Sequence, residues 1–242
     1  MSTKPVIGIL LDWQDSGTFS KRPHYALRQG YFDAISAVGG MPVGLSYDEN
    51  HMLDYLDLID GLLCPGGNFA SPAHWYVDGE ETPYGASPRA EYEVEFITRA
   101  LDKGKPILGI CGGMQVLGAS QGCKFTGDLH AYYKTENNYK NGTPAEDFAF
   151  TVNITQGTRL HDIVGNEVLK INAAHREAIV EHPEHVTVSA LSVEDHIVQA
   201  IELPEHKFAI GVQWHPEFFI SDDKGQTGHR KVFEALVKTV QI

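Results

Sequence analysis

The sequence predicts an α/β fold whose central sheet is mostly parallel, with antiparallel strands added to it. Two observations carry this. The first half alternates short apolar runs with helix-spaced stripes, each stopped by glycine or proline, as a βαβ chain must. From Phe148 onward the pattern changes to short strand-like segments without intervening helices, until a last amphipathic stripe closes the chain.

Taken in order, residues 6–11 read as a buried strand. Tyr25, Leu27, Phe32, Ile35 and Val38 recur at broadly helical spacing until Gly39-Gly40 stops the run. Residues 61–64 are the next strand. Ser87 can cap a helix with Pro88 at its first position, and Ala90, Val94, Ile97 and Leu101 form its apolar stripe before Gly104. Residues 107–110 then return as a parallel strand, and such a sheet binds ligands at the carboxyl ends of its strands. Beyond it, residues 148–154, 168–171, 186–190, 197–203 and 208–214 read as strands, some antiparallel, before a helix carrying Val232, Leu236 and Val240 on one face. Two long segments, 68–87 and 130–147, hold tyrosines and tryptophan among polar residues. Each is either a lid over a site or a solvent-facing excursion pinned by its aromatics.

The chemistry-bearing pattern is Gly109-Ile110-Cys111-Gly112-Gly113-Met114-Gln115. Residues 105–110 form a strand after a Lys-Gly-Lys-Pro turn, and residues 114–120 can be helical, so Cys111 falls at a strand-to-helix corner of the nucleophile-elbow type. Such a corner holds its residue in a strained conformation, tolerated by flanking glycines, and the positive end of the helix favours the thiolate that attacks. A hundred residues on, Trp214-His215-Pro216-Glu217 ends a strand. Proline blocks a helix there, and in extended chain residues two apart share a side, so Glu217 can reach one imidazole nitrogen of His215 while the other faces the sulfur. Cys111, His215 and Glu217 are the candidate nucleophile, base and orienter. Without the partner motif, an isolated cysteine after an apolar strand is commonly a small buried residue.

These motifs, with Leu63-Cys64-Pro65-Gly66-Gly67, resemble class I glutamine amidotransferase domains, and most closely the free-standing γ-glutamyl-γ-aminobutyrate hydrolase type. Supporting stretches are Ala37 through Pro42, Pro88-Arg89 with Glu93, Gly122 through Leu129, and Ile171-Asn172-Ala173-Ala174-His175. The resemblance spans residues 5–238 and implies one flavodoxin-like, three-layer sandwich domain over 1–242, with no cofactor or metal. It implies a cysteine hydrolase that cleaves a γ-glutamyl amide through a thioester, with backbone N–H groups of Gly67 and Gly112 holding the oxyanion. Gln115 would hold the glutamyl end, and Asn172, His175, Arg176 and Glu177 would border the pocket. The chain departs from the family pattern at Gly112, where a larger side chain is common, at Asn68-Phe69-Ala70, where an aspartate is usual, and at Asn172 through Glu177. The departures leave the leaving amine unassigned. Arg176 facing the site would suit a carboxylate on that amine, and Glu177 a cationic group.

Composition bounds the rest. The chain has 242 residues, 42% hydrophobic, enough for one sizeable α/β core. Nineteen basic against thirty-two acidic residues give a net charge of −13, which argues against a nucleic-acid or anionic-membrane partner. Cys64, Cys111 and Cys123 are an odd set without a secreted-framework spacing, and neither a signal-type N-terminus nor an 18-residue apolar stretch appears, so a cytoplasmic location is expected. Cys64 and Cys123 read as structural, and His182, His185, His196 and His206 as surface residues, since no metal-ligand spacing supports a metal hydrolase. A glutaminase serving a partner synthetase and a non-catalytic binding protein remain rival readings, and a homo-oligomer is left open.

Overall fold

A computed structural model of the protein describes residues 4–67, 71–77, 88–140, 146–221 and 227–240. Strand β1 (Val6–Leu10) opens the chain, and a small hairpin of β2 (Asp12–Gln14) and β3 (His24–Ala26) leads into helix α1 (Gln29–Ala37). Strand β4 (Met41–Leu45), helix α2 (Met52–Leu58), strand β5 (Gly61–Cys64), helix α3 (Pro88–Asp102) and strand β6 (Ile107–Ile110) complete the alternating half. Helix α4 (Gly112–Ser120), strand β7 (Lys124–Thr126) and helix α5 (Leu129–Tyr133) follow. The second half runs β8 (Phe150–Ile154), α6 (Arg159–Val164), β9 (Val168–Ile171), β10 (Ala178–Glu181), β11 (Thr187–Ser192), β12 (Val198–Glu202), β13 (Ala209–Val212) and α7 (Gly228–Thr239).

The main sheet has the order β4-β1-β5-β6-β13-β12-β11-β8-β9. From β4 to β13 every ladder is parallel. From β13 to β9 every ladder is antiparallel, which gives the predicted antiparallel additions. All four residues of β5 and all four of β6 are buried, as parallel strands covered on both faces require. One core packs α2, α3 and α4 on one face of the sheet and the other packs α1, α6 and α7 on the opposite face, which makes three layers. No helix among the described residues is long and apolar enough to cross a membrane.

Several sequence expectations need correction. The helical spacing starting at Tyr25 is only partly a helix, because Tyr25 pairs with Trp13 in the β2–β3 hairpin and stacks edge-on against Trp13 and Tyr47; α1 begins at Gln29. The segment 130–147 is not all loop. Asp128 caps α5 by accepting from the N–H groups of His130 and Ala131, and Tyr139 is fully buried against Phe150. In the other long segment, Trp75 and Tyr76 are buried, while Asp78, Glu80, Glu81, Tyr84 and Ser87 lie outside the described residues. Cys64 and Cys123 are free and buried; burial raises both thiols, that of Cys123 to about 12. His182, His185 and His196 are exposed and His206 is half-buried.

Candidate active site

Cys111 joins β6 directly to α4 with φ 53° and ψ −108°, a left-handed conformation that a side-chain-bearing residue adopts at a cost of about 1–3 kcal/mol. The surrounding bonds hold it there: its N–H donates to the Val212 carbonyl at 2.8 Å, and its carbonyl accepts from Gln115 N–H at 3.2 Å. Only 8% of the residue is exposed. Gln213, which follows β13, points its side-chain amide at the Cys111 sulfur at 3.6 Å, and the Gln115 side chain donates to the Gln213 side-chain oxygen Oε1 at 3.4 Å. Gln115 thus acts on the sulfur through Gln213.

His215 and Glu217 do not lie in extended chain. Pro216 is instead the first residue of a short 3₁₀ turn, Pro216–Phe219, a position that proline tolerates because its missing N–H would have no partner there. The turn brings Glu217 Oε1 to 2.8 Å from His215 Nδ1. The other imidazole nitrogen is left for Cys111, whose charge acts on the ring. Burial alone lowers the His215 pKa, but the charges of Glu217 and Cys111 and the hydrogen bond to Glu217 more than offset it, and it rises to about 10.

Two further groups fix the imidazole. Asn172 clamps the His215 main chain at both ends, donating to its carbonyl at 3.1 Å and accepting from its N–H at 2.8 Å. Tyr31 places its hydroxyl 3.4 Å from His215 Nδ1 and accepts from Gly66 N–H at 3.1 Å. Gly66 lies so close to both candidate residues that a Cβ there would stand 2.8 Å from His215 Cε1 and 3.0 Å from Cys111 Cβ. The Gly67 N–H finds no protein acceptor among the described residues, and the Gly112 N–H lies in the first turn of α4, where amides have no intrahelical acceptor.

The loop carrying Gly66 and Gly67 is held from beneath by Arg89, whose side chain is fully buried. It donates to the Pro65 carbonyl at 2.7 Å, to Asp12 Oδ1 at 2.8 Å and to Glu93 Oε1 at 2.8 Å. Burial pulls the guanidinium down, but Glu93, Tyr47 and Asp12 outweigh it and hold it above its ordinary value. Burial raises the Glu93 carboxyl despite Arg89.

A cavity of about 440 Å³ opens over the sulfur, lined by Asp12, Leu27, Arg28, Gly67, Cys111 and His215 among others. Of the 172–177 stretch, only Ala174 lines it among the described residues. His175 is turned inward, its Nδ1 at the Glu177 carbonyl and its Nε2 near Gln199, and burial lowers its pKa to about 4. Glu177 accepts from the Tyr76 hydroxyl at 2.8 Å. Arg176, which would suit a carboxylate on the leaving amine only if it faced the site, is drawn to Asp128 at 3.0 Å. Sequence reasoning missed Arg28, Tyr31 and Gln213. The i, i+3 pair Arg28 and Tyr31 at the start of a helix was the available signal for the first two.

A parallel α/β sheet that ends one strand in a cysteine elbow and the next in a histidine–carboxylate pair defines a glutamine amidotransferase-like hydrolase class. Comparison with known proteins narrows this. Residues 5–217 match the Peptidase C26 profile, and the chain belongs to that family. It is similar to a glutamine amidotransferase-like protein of Rickettsia prowazekii, 32% identical over 98% of each chain. It is also similar to the γ-glutamyl-γ-aminobutyrate hydrolase of Escherichia coli K12, 26% identical over 98% of this chain and 94% of that one. A GMP synthase component from Thermoplasma acidophilum, known from its crystal structure, shares the fold with a TM-score of 0.63. It is 17% identical, and the match covers all of this chain and 96% of the other.

Proposed function

We propose that the protein hydrolyses a γ-glutamyl amide with Cys111 as nucleophile, His215 as acid and base, and Glu217 as its orienter. The observation that carries this is the strained Cys111 elbow beside an imidazole whose far nitrogen is held 2.8 Å from a buried carboxylate. The Cys111 thiolate attacks the side-chain carbonyl, and the resulting oxyanion sits against the N–H groups of Gly67 and Gly112. Each such donor contributes about 3 kcal/mol in the transition state. His215 protonates the departing amine as the thioester forms. It then takes a proton from water, which attacks the thioester, releasing glutamate and the free thiol.

The similarity to a γ-glutamyl-γ-aminobutyrate hydrolase supports a γ-glutamyl acyl group, and the similarity to a glutamine amidotransferase-like protein puts glutamine among the substrates to be tried. The test is glutamate release by the purified protein from a panel of γ-glutamyl amides that includes glutamine, run beside Cys111→Ser. Turnover that vanishes in the variant supports the reading. A Cys111→Ser variant as active as the parent sinks it.

A further inference from the structure

His215 and Glu217 have a third neighbour in common. Arg28, the last residue before α1, lays its guanidinium beside the pair: Nη2 stands 3.4 Å from His215 Nδ1 and 3.6 Å from Glu217 Oε1, and it donates to Tyr31 Oη at 3.0 Å. The group also lies against the rings of Tyr31 and Phe218, 5.4 and 5.3 Å from their centroids, and Phe218 belongs to the same 3₁₀ turn as Glu217. Burial pulls the guanidinium down, but Tyr31, Glu217 and Cys111 outweigh it, so Arg28 keeps its charge wherever a histidine titrates. It is the only arginine or lysine lining the cavity over Cys111 among the described residues. Its side chain is half-exposed, whereas that of Glu217 is only 2% exposed.

The charges around the pair define what this cation does. Cys111 acts on the imidazole from the β6–α4 corner, Glu217 from the turn, Tyr31 from α1 and His175 from the segment between β9 and β10. Burial keeps the Tyr31 hydroxyl and the His175 ring neutral. Asp12, which also lines the cavity, is paired with Arg89. With Cys111 as the thiolate, a carboxylate and a thiolate then face a single imidazolium, and Arg28 makes the balance even. When His215 gives its proton to a leaving amine, Glu217 loses its imidazolium partner. A carboxylate this buried, left without a countercharge, would take up a proton itself. Arg28 stays beside it in either state of the ring. The same cation repels the imidazolium more than the neutral imidazole, which favours departure of the proton.

We propose that Arg28 is a positioning residue for the His215–Glu217 pair: it holds Glu217 as the carboxylate while the imidazole is neutral, and it makes the imidazolium release its proton more readily. The test follows the His215 imidazole by ¹H–¹⁵N NMR across pH in the protein without substrate, the signal being assigned by its loss in His215→Asn. Arg28→Gln raises the midpoint of the His215 titration by about 1 pH unit, because a neighbouring charge shifts a titration by about 1–3 units and solvent around a half-exposed guanidinium brings this to the low end. At the pH where the parent ring is half protonated, the variant ring is then about nine-tenths protonated, so the comparison needs no complete curve. Arg28→Lys keeps the charge and recovers more than half of the shift. Arg28→Met, which keeps the stem against the Tyr31 and Phe218 rings, replaces Arg28→Gln if that variant does not fold, and must give the same rise. An unmoved or lowered midpoint overturns the proposal, as does Arg28→Lys shifting as far as Arg28→Gln. A fall in melting temperature with no change in the midpoint means that Arg28 only clamps the Phe218 ring, and overturns it too. The role in proton transfer rests on the reading of His215 as acid and base, but the titration requires no turnover. A midpoint that rises as expected in a chain that hydrolyses no γ-glutamyl amide sustains the charge coupling, and the γ-glutamyl reading then fails by itself.

Discussion

At the scale of the residue, the His215–Glu217 pair is where electrostatics and chemistry meet. The folded pKa of His215, about 10, lies above the ordinary histidine value because Glu217 and Cys111 outweigh the effect of burial. A group whose pKa is raised on folding binds its proton more tightly in the native state. Its contribution to stability is full below the unfolded value near 6.5 and disappears as pH rises through about 10. Glu217→Gln keeps an acceptor for Nδ1 but removes the charge. It is expected to destabilise the protein by roughly 3 kcal/mol at pH 6, with the gap to the parent closing toward pH 10, and to lower kcat on the order of 100-fold. Urea unfolding at both pH values reads the first effect; a gap that widens with pH would contradict it. The three residues of the proposed triad could be singled out in the sequence because each sits in a local motif with its own backbone logic. Arg28 was not, because its tie to His215 joins residues 187 apart in the chain. Asn172 was singled out, but local sequence could not show that its side chain serves the His215 backbone.

At the scale of the element, the site depends on how closely α4 approaches the sheet. A Cβ on Gly113 would stand 2.0 Å from the Cys64 carbonyl oxygen, a backbone atom of β5 that cannot turn aside. Gly118, on the same helix, would meet only the Ile179 and Cys123 side chains at 3.0 Å or more. Gly113→Ala is therefore expected to cost about 3 kcal/mol or more, since overpacking costs about 1–3 kcal/mol even where side chains can adjust. Gly118→Ala should sit near the parent, helped by about 1 kcal/mol of helix propensity. Thermal unfolding of the pair checks this, and equal melting temperatures would refute the close-approach argument. Elements with a long stripe or a buried apolar run were readable: β5, β6 and β9 fall where the sequence put them. Elements made by caps and hairpins were not. Helices α5 and α6 span only five and six residues, too few to show a period, and are started by Asp128 and Thr158. Strand β4 carries Pro42 and Gly44, which mask an edge strand.

At the scale of the whole molecule, the parallel half of the sheet gathers the site from segments far apart in sequence. Asp12 follows β1, Gly66 and Gly67 follow β5, Cys111 follows β6 and His215 follows β13, all past the carboxyl ends of neighbouring strands. Each is fixed from within the chain: the elbow by Val212 and Gln115, the histidine by Asn172 and Glu217, the glycine loop by Arg89. A glutaminase that must dock on a synthetase before it works would need some part of this arrangement to be completed by the partner. Here the proposed nucleophile, its proposed base and the unengaged N–H groups already lie together, so the purified chain is expected to release glutamate unaided. Catalysis through the thiol adds a second expectation, that iodoacetamide abolishes turnover while a chelator leaves it unchanged. Assaying the isolated protein with each reagent separates three mechanisms in one experiment. Chelator sensitivity would point to a metal hydrolase. Activity that appears only when a cell extract is added back would point to a partner-dependent glutaminase. Thiol-sensitive, chelator-resistant turnover by the chain alone is the result that the internally braced site requires.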